Sequence, residues 1–376
     1  MEIERPDSAS ACTQSVLTRA RHATRLQFMA LGVIVGTWGA HIPSLKGHYA
    51  LSEVSLSLVL LAAGVGTVLS LLVAGRIVGK LGARRAAAYG GLVASLLLAA
   101  LLEYPSVALL MGAALIFGAS ASLFDVSINT EGSVLESLGG RAIMSNLHGM
   151  FSVGGMTGAA LAAWMLDAGV PLRLQLFAVC SATAIAIIFT SRGMLETHAG
   201  SDEGGDGAAK AHFVWPTGLL LIIGLLIFAG MTAEGVMYDW SVLYLNQEIG
   251  MSQASAALGY ATFSAAMALT RFGGDFLRSR HSERMLLRTG AVIAAVAMTV
   301  ILLSANRWVA LTGMALVGAG LALVAPILFN AATCVPGVSR AAAIAAVTAV
   351  GYSGFMIGPP LIGSIATATS LTLALG

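Results

Sequence analysis

Eleven long apolar segments run through this chain, and its twenty lysines and arginines lie almost entirely on one side of them. With the segments read as membrane helices, the connecting loops alternate between two faces. One face receives Arg5, Arg19, Arg21, Arg25, Arg76, Lys80, Arg84, Arg85, Arg141, Arg192, Lys210, Arg271, Arg278, Arg280, Arg284, Arg288 and Arg340. The other receives only Lys46, Arg173 and Arg307. Seventeen against three is the positive-inside pattern, which sets the N-terminus and the basic loops in the cytoplasm of a bacterial-type inner membrane. The chain is 57% hydrophobic and 10% charged, with a mean hydropathy of +0.86, whereas soluble domains carry roughly 25% charged residues. A water-facing surface cannot be built from this composition, so the lipid bilayer is the expected partner. The cations form short clusters at helix ends, which is no footprint for nucleic acid.

The segments fall at about 26–45, 55–78, 86–102, 106–131, 142–166, 171–191, 217–245, 253–277, 284–304, 308–332 and 340–366. Most approach the roughly 20 residues that a membrane crossing requires. Residues 1–24 read as a polar cytoplasmic tail without a cleavable signal. A polar break at 192–216, rich in Gly and acidic residues, reads as a flexible cytoplasmic linker. It separates a six-helix half, 25–191, from a second half, 217–376, of five helices and a stub. Cys12, Cys180 and Cys334 form neither a disulfide framework nor a metal spacing. No H-E-x-x-H or G-x-S-x-G motif is present, so neither enzymatic chemistry nor a cofactor is expected.

The halves echo each other. Gly75-Arg-Ile-Val-Gly79-Lys80-Leu-Gly82-Ala-Arg84-Arg85 has a counterpart 196 residues later in Arg271-Phe-Gly-Gly-Asp275-Phe-Leu-Arg278-Ser-Arg280. Gly154-Gly155-Met156-Thr-Gly158 is matched by Gly354-Phe-Met356-Ile-Gly358. On these motifs the chain resembles the major facilitator superfamily over essentially its whole length. The superfamily signature after the second helix, G-x-x-x-D-R/K-x-G-R-R/K, is kept at Gly75, Lys80, Gly82, Arg84 and Arg85, with Gly79 in the place of the aspartate. The second half has Asp275, with Arg271 and Arg278 nearby. The resemblance implies an all-α membrane fold of two pseudo-symmetric six-helix bundles, a gating role for these motif residues, and a monomer with a substrate site at mid-membrane. The superfamily norm is twelve helices; after the eleventh only residues 367–376 remain, so the twelfth is either lost or cut short in the sequence given.

Polar residues inside the apolar segments are the site candidates, because an ionisable group there costs about 2.5–3.5 kcal/mol on insertion scales. Gly118, Ser122, Asp125 and Asn129 share one face of the fourth helix, and His148, Ser152, Gly155 and Ala159 one face of the fifth. Such stripes line a polar cleft or lock two helices together. In the seventh helix Glu234 shares a face with Tyr238 and Ser241, while Asp239 lies about 140° away, with Thr232 and Gly235, near the far end. There it suits a gate contact. Trp38 and His41 sit a turn apart near the end of the first helix, where Trp38 serves a sugar face or an interfacial belt. Asn330 and Tyr352 are further candidates in the second half, and Pro359-Pro360 marks a broken or kinked eleventh helix.

Acid-x-x-x-Asn in the fourth helix, a Gly-rich fifth helix and His41-Ile42-Pro43 in the first resemble the fucose/glucose/galactose:proton symporter branch. That likeness implies Asp125 as proton carrier beside Asn129, and Glu234 with Trp240 near the substrate. The branch's second acid falls on Gly39. The expectation is a proton-coupled carrier of a small polar solute such as a sugar, with protons as the co-substrate and Glu234 beside Asp125 as a proton-coupling candidate. The competing readings are a proton-driven exporter of amphipathic compounds and a non-transporting receptor. The exporters' fifth-helix G-x-x-x-G-P run ends here in Ala159 rather than proline.

Overall fold

The computed structural model describes residues 8–140, 143–196, 217–336, 338 and 340–376. Arg5, Arg141 and Lys210, together with the expected linker from 197 onward, lie outside the described residues. Every regular element among them is helical: α1 (Ser8–His48), α2 (Glu53–Leu81), α3 (Ala83–Ala99), α4 (Val107–Gly139), α5 (Met144–Asp167), α6 (Leu172–Ser191), α7 (Gly218–Gln247), α8 (Gln253–Phe272), α9 (Gly274–Arg280), α10 (Glu283–Leu303), α11 (Arg307–Leu321), α12 (Val324–Thr333), α13 (Arg340–Ala368) and α14 (Leu371–Leu375). Nine spans among the described residues are long and apolar enough to cross a membrane, with α11 and α12 counted together. The short α3 and the more polar α8 complete the eleven expected crossings.

Short turns with serine or asparagine caps start many of these helices. Ser52, Ser106, Ser252 and Ser282 each accept a backbone N–H from the first turn that follows, and Asn306 accepts two, satisfying donors that would otherwise be orphaned. Gly82 joins α2 to α3 directly at φ 78°, a backbone open to glycine without penalty; this explains one glycine of the signature.

Within the first half α1 packs on α5 and α6, α2 on α4, and α3 on α4 and α6; in the second, α7 packs on α13, and α11 on both α8 and α10. The halves meet along α5 with α8 and along α2 with α13. Glycines make the closest approaches, backbone against backbone. Gly118 rests on the Ala63 carbonyl, and 200 residues on Gly318 rests on the Phe263 carbonyl. Gly90 against Ser120 recurs as Gly290 against Gly320, and Gly154 against Met29 as Gly354 against Phe228. With lipid outside there is little hydrophobic drive between helices, so such close contact supplies the association. The repeat expected from sequence is thus a repeat of helix contacts. Large apolar side chains face outward, Leu72, Leu269 and Leu303 among them, as a lipid-facing surface requires.

Three helices differ from expectation. The eighth ends at Phe272 and restarts as α9. The tenth divides at 322–323, four residues before Pro326, whose missing N–H leaves the Ala322 carbonyl without its helical donor. Conversely, α13 is continuous through Pro359 and Pro360. Their missing donors free the Phe355 and Met356 carbonyls, and the Phe355 carbonyl lies against α2 at Gly64.

A substitution at Gly154 tests the glycine contacts. Gly154→Val would push a side chain into the α1 backbone at Met29 and Gly32, whereas Gly112→Val meets open space. The first is expected to lose about 1–3 kcal/mol, the usual cost of overpacking, read as a lower thermal midpoint in detergent; the second is expected to leave the midpoint unchanged. Equal midpoints for the two would contradict this account.

Candidate functional site

On α7 Glu234 and Tyr238 lie one turn apart, and the Tyr238 hydroxyl donates to Glu234 Oε1 at 2.5 Å. Arg271 of α8 is only 6% exposed, and its Nη2 pairs with the same oxygen at 3.1 Å. Its Nη1 donates to Ser152 Oγ of α5 at 2.8 Å. One guanidinium therefore spans both halves. Its Nε points at the Ala322 carbonyl at 3.5 Å, long for a hydrogen bond but directed at the acceptor that Pro326 sets free. Sequence placed Arg271 with the basic loops and their gating motif. The structure carries the residue at the end of α8, inside the bundle, where Glu234 supplies the counter-charge that a buried guanidinium requires.

Asp125 anchors a second group on α4. Asn129 Nδ2 donates to Asp125 Oδ1 and to the Asp125 carbonyl, both at 2.9 Å. From the other half, the Tyr352 hydroxyl of α13 reaches Asp125 Oδ2 at 3.5 Å. Among the described residues no lysine or arginine pairs with Asp125. Ser122, one turn earlier on the same face, is buried with its Oγ unpartnered. Tyr352 brings α13 of the second half to Asp125 of the first. His148 stands one turn before Ser152, edge-on to Phe28 at 5.4 Å. At their glycines the α4 and α5 stripes meet different partners, Gly118 packing on α2 and Gly155 on α8.

Toward the opposite end of the bundle a second set of contacts joins the halves. Trp38 of α1 stacks on Phe117 of α4 at 4.9 Å and lies close to Asp239 of α7. Gln253 Nε2 donates to the Ala40 carbonyl at 3.1 Å and to Ser44 Oγ at 2.5 Å. Gly39 explains the absent second acid. A Cβ there would lie 2.7 Å from both the Tyr238 carbonyl and the Tyr260 ring.

Three candidates are not brought to these groups. His41 is 1% exposed, held between the Thr37 carbonyl at 2.9 Å and Gln175 of α6 at 3.2 Å; it faces the interior of its own half. Trp240 is fully buried with its indole N–H unpartnered, because it sits about 120° around α7 from Glu234. Asn330 is exposed on α12. Of the signature residues, Lys80 and Arg85 are exposed, Gly75 and Gly79 face open space, and Arg84 pairs at 2.8 Å with Glu196 beyond α6. Glu196 is thus an acid close to where the signature lacks one. Arg278 pairs with Glu283 at 2.6 Å; the side chain of Asp275 lies outside what is described. The roles of Gln253 and Glu196 had no sequence signal, since both meet partners distant in the chain. Ser152 was visible only as one member of its stripe.

The Arg271–Glu234 pair makes a stability prediction. Arg271→Gln or Glu234→Gln alone leaves one buried charge uncompensated and is expected to cost about 3–5 kcal/mol, while the double variant recovers most of that loss. Thermal midpoints of the three proteins in detergent check it; additive losses would refute the pairing.

Comparisons with known proteins agree with this architecture. A family model described as Major Facilitator Superfamily matches residues 26–359. An uncharacterized MFS-type transporter of Yersinia pestis is 34% identical over 354 residues, covering 94% of this chain and 91% of the relative. The membrane protein MosC of Rhizobium meliloti is 30% identical over 353 residues, covering 94% and 85%. Among solved structures, a D-xylose-proton symporter superposes with a TM-score of 0.73 at 13% identity, covering 95% of this chain and 96% of that one. The nucleoside transporter NupG superposes with a TM-score of 0.70 at 14% identity, covering 96% and 94%. With two echoing helical halves that meet over buried charges, and a family match along nearly its whole length, this chain belongs to the major facilitator superfamily of membrane transporters.

Proposed function

We propose that this protein is a proton-coupled secondary transporter for a small polar, sugar-like solute, with Asp125 as the proton carrier. It would work as a monomer in a bacterial inner membrane with its N-terminus in the cytoplasm. The observation that carries the reading is Asp125 itself: an acid inside the bundle with no cationic partner among the described residues, contacted from its own half by Asn129 and from the other by Tyr352. A lone carboxylate is costly to keep charged away from water. It takes a proton when the surrounding space closes and releases it where water enters. The solute would lie against Asn129, Tyr352, Tyr238 and His148, whose polar groups surround the junction of the halves.

Alternating access requires the halves to part on one side at a time. On the side of Trp38, the Asp239 contact and the Gln253 bonds are the gate that must open. Deeper in, Arg271–Ser152 is the bond across the halves that α5 and α8 must break as they slide, while Glu234 keeps the guanidinium charge-balanced. Glu234 would take part in coupling through Arg271 rather than as a free acid. The xylose-proton symporter among the structural neighbours supports a sugar as the first class to test. An exporter of amphipathic compounds is the second reading, favoured by the ring cluster of Tyr238 with Phe151, Tyr260 and Phe263.

The test uses proteoliposomes holding a trapped pH dye and a panel of hexoses and polyols. Wild type is expected to acidify the lumen when solute is added, and Asp125→Asn to lose that signal while still exchanging labelled solute against solute. Full solute-dependent acidification by Asp125→Asn would remove Asp125 from the mechanism. No response to any sugar, with Asp125-dependent movement of amphipathic compounds, would move the assignment to the exporter.

A further inference from the structure

A groove of about 630 Å³ lies on the outer face of the second half, between α10 and α11, lined by Val292, Val296, Val300, Trp308, Thr312 and Leu316 among others. It is separate from the polar groups at the centre. Its walls are apolar and well exposed, Val292 by 61% and Trp308 by 65%. One end is charged: the Arg307 guanidinium sits 5.1 Å above the Trp308 ring and has no carboxylate partner among the described residues. Arg307 opens α11 immediately after its Asn306 cap, so the Arg–Trp pair marks the membrane boundary on the side with few cations. From Val292 to Val300 the groove runs about 12 Å along α10, close to the roughly 15 Å depth of one leaflet's hydrocarbon. The matching positions of the first half, 200 residues earlier, are Val107 and Ala108. The charged rim therefore belongs to the second half alone.

We propose that this groove binds one acyl chain of an anionic phospholipid from the leaflet opposite the basic loops, with the lipid phosphate on Arg307. The planar guanidinium matches a phosphate through paired N–H donors. Tryptophan favours the headgroup level, where its ring is apolar and its N–H stays wet. Depth, charge and ring thus select the same ligand at the same end of the groove.

The test is lipid retention by the delipidated full-length protein in native mass spectrometry, titrated with phosphatidylglycerol or phosphatidylcholine of the same acyl chains. Wild type is expected to hold one phosphatidylglycerol about fivefold more tightly than phosphatidylcholine, the effect of one basic residue near a charged headgroup. Arg307→Gln should erase that preference and keep the weaker binding. Thr312→Trp, which fills the groove, should lose both lipids while its thermal midpoint stays that of a folded protein. Equal retention by all three proteins, or no headgroup preference in wild type, overturns the proposal. So does a wild-type dimer that Thr312→Trp disperses, because the groove would then be a contact between copies.

Discussion

A bilayer offers no water to a polar group, so most of those described inside this bundle find a partner within the protein, with Ser122 Oγ and the Trp240 indole N–H among the exceptions. That constraint organises the structure. Arg271 is tolerated because Glu234, Ser152 and the Ala322 carbonyl surround it. The Ala322 carbonyl is available because Pro326 removes its usual donor and divides the tenth crossing. A helix break, a buried cation and the bond between halves are thus one arrangement. The same constraint explains the hydroxyls that fold back on their own helices, such as Thr24 on the Ala20 carbonyl and Ser95 on the Gly91 carbonyl.

The repeat is kept in the backbone and broken in the chemistry. Gly118 and Gly318, or Gly90 and Gly290, set equivalent helix contacts in the two halves. The polar groups do not follow the same rule: Asp125 belongs to the first half, whereas Glu234, Tyr238 and Arg271 belong to the second. Glycine contacts tolerate no side chain, so they hold the frame constant. The faces between them are free to diverge.

The fold was legible because its causes are local and periodic. Apolar length gave the crossings, and glycine spacing gave the repeat. The candidate site was legible only in part. Asp125 with Asn129, and Glu234 with Tyr238, are neighbours one turn apart, so the spacing that suggested them is also the spacing that joins them. Trp240 and His41 lie on the same helices as other candidates, yet their faces turn into the packed interior; a one-dimensional likeness carries residue type more faithfully than helix rotation. The Arg271–Ser152 bond and the Gln253 bonds were invisible because their partners lie more than a hundred residues away in the chain.

Gly39 has a consequence for how a transporter of this kind can change its stoichiometry. The space that a side chain would need there is taken by the main chain of α7 at Tyr238 as well as by the Tyr260 ring. The ring could be trimmed by mutation, but a carbonyl oxygen could not. An ancestor or descendant carrying an acid at this position would need α1 and α7 set further apart, a change no single codon encodes. In the proposed cycle, an evolutionary path to a second acid at this position therefore runs through repacking before it reaches charge.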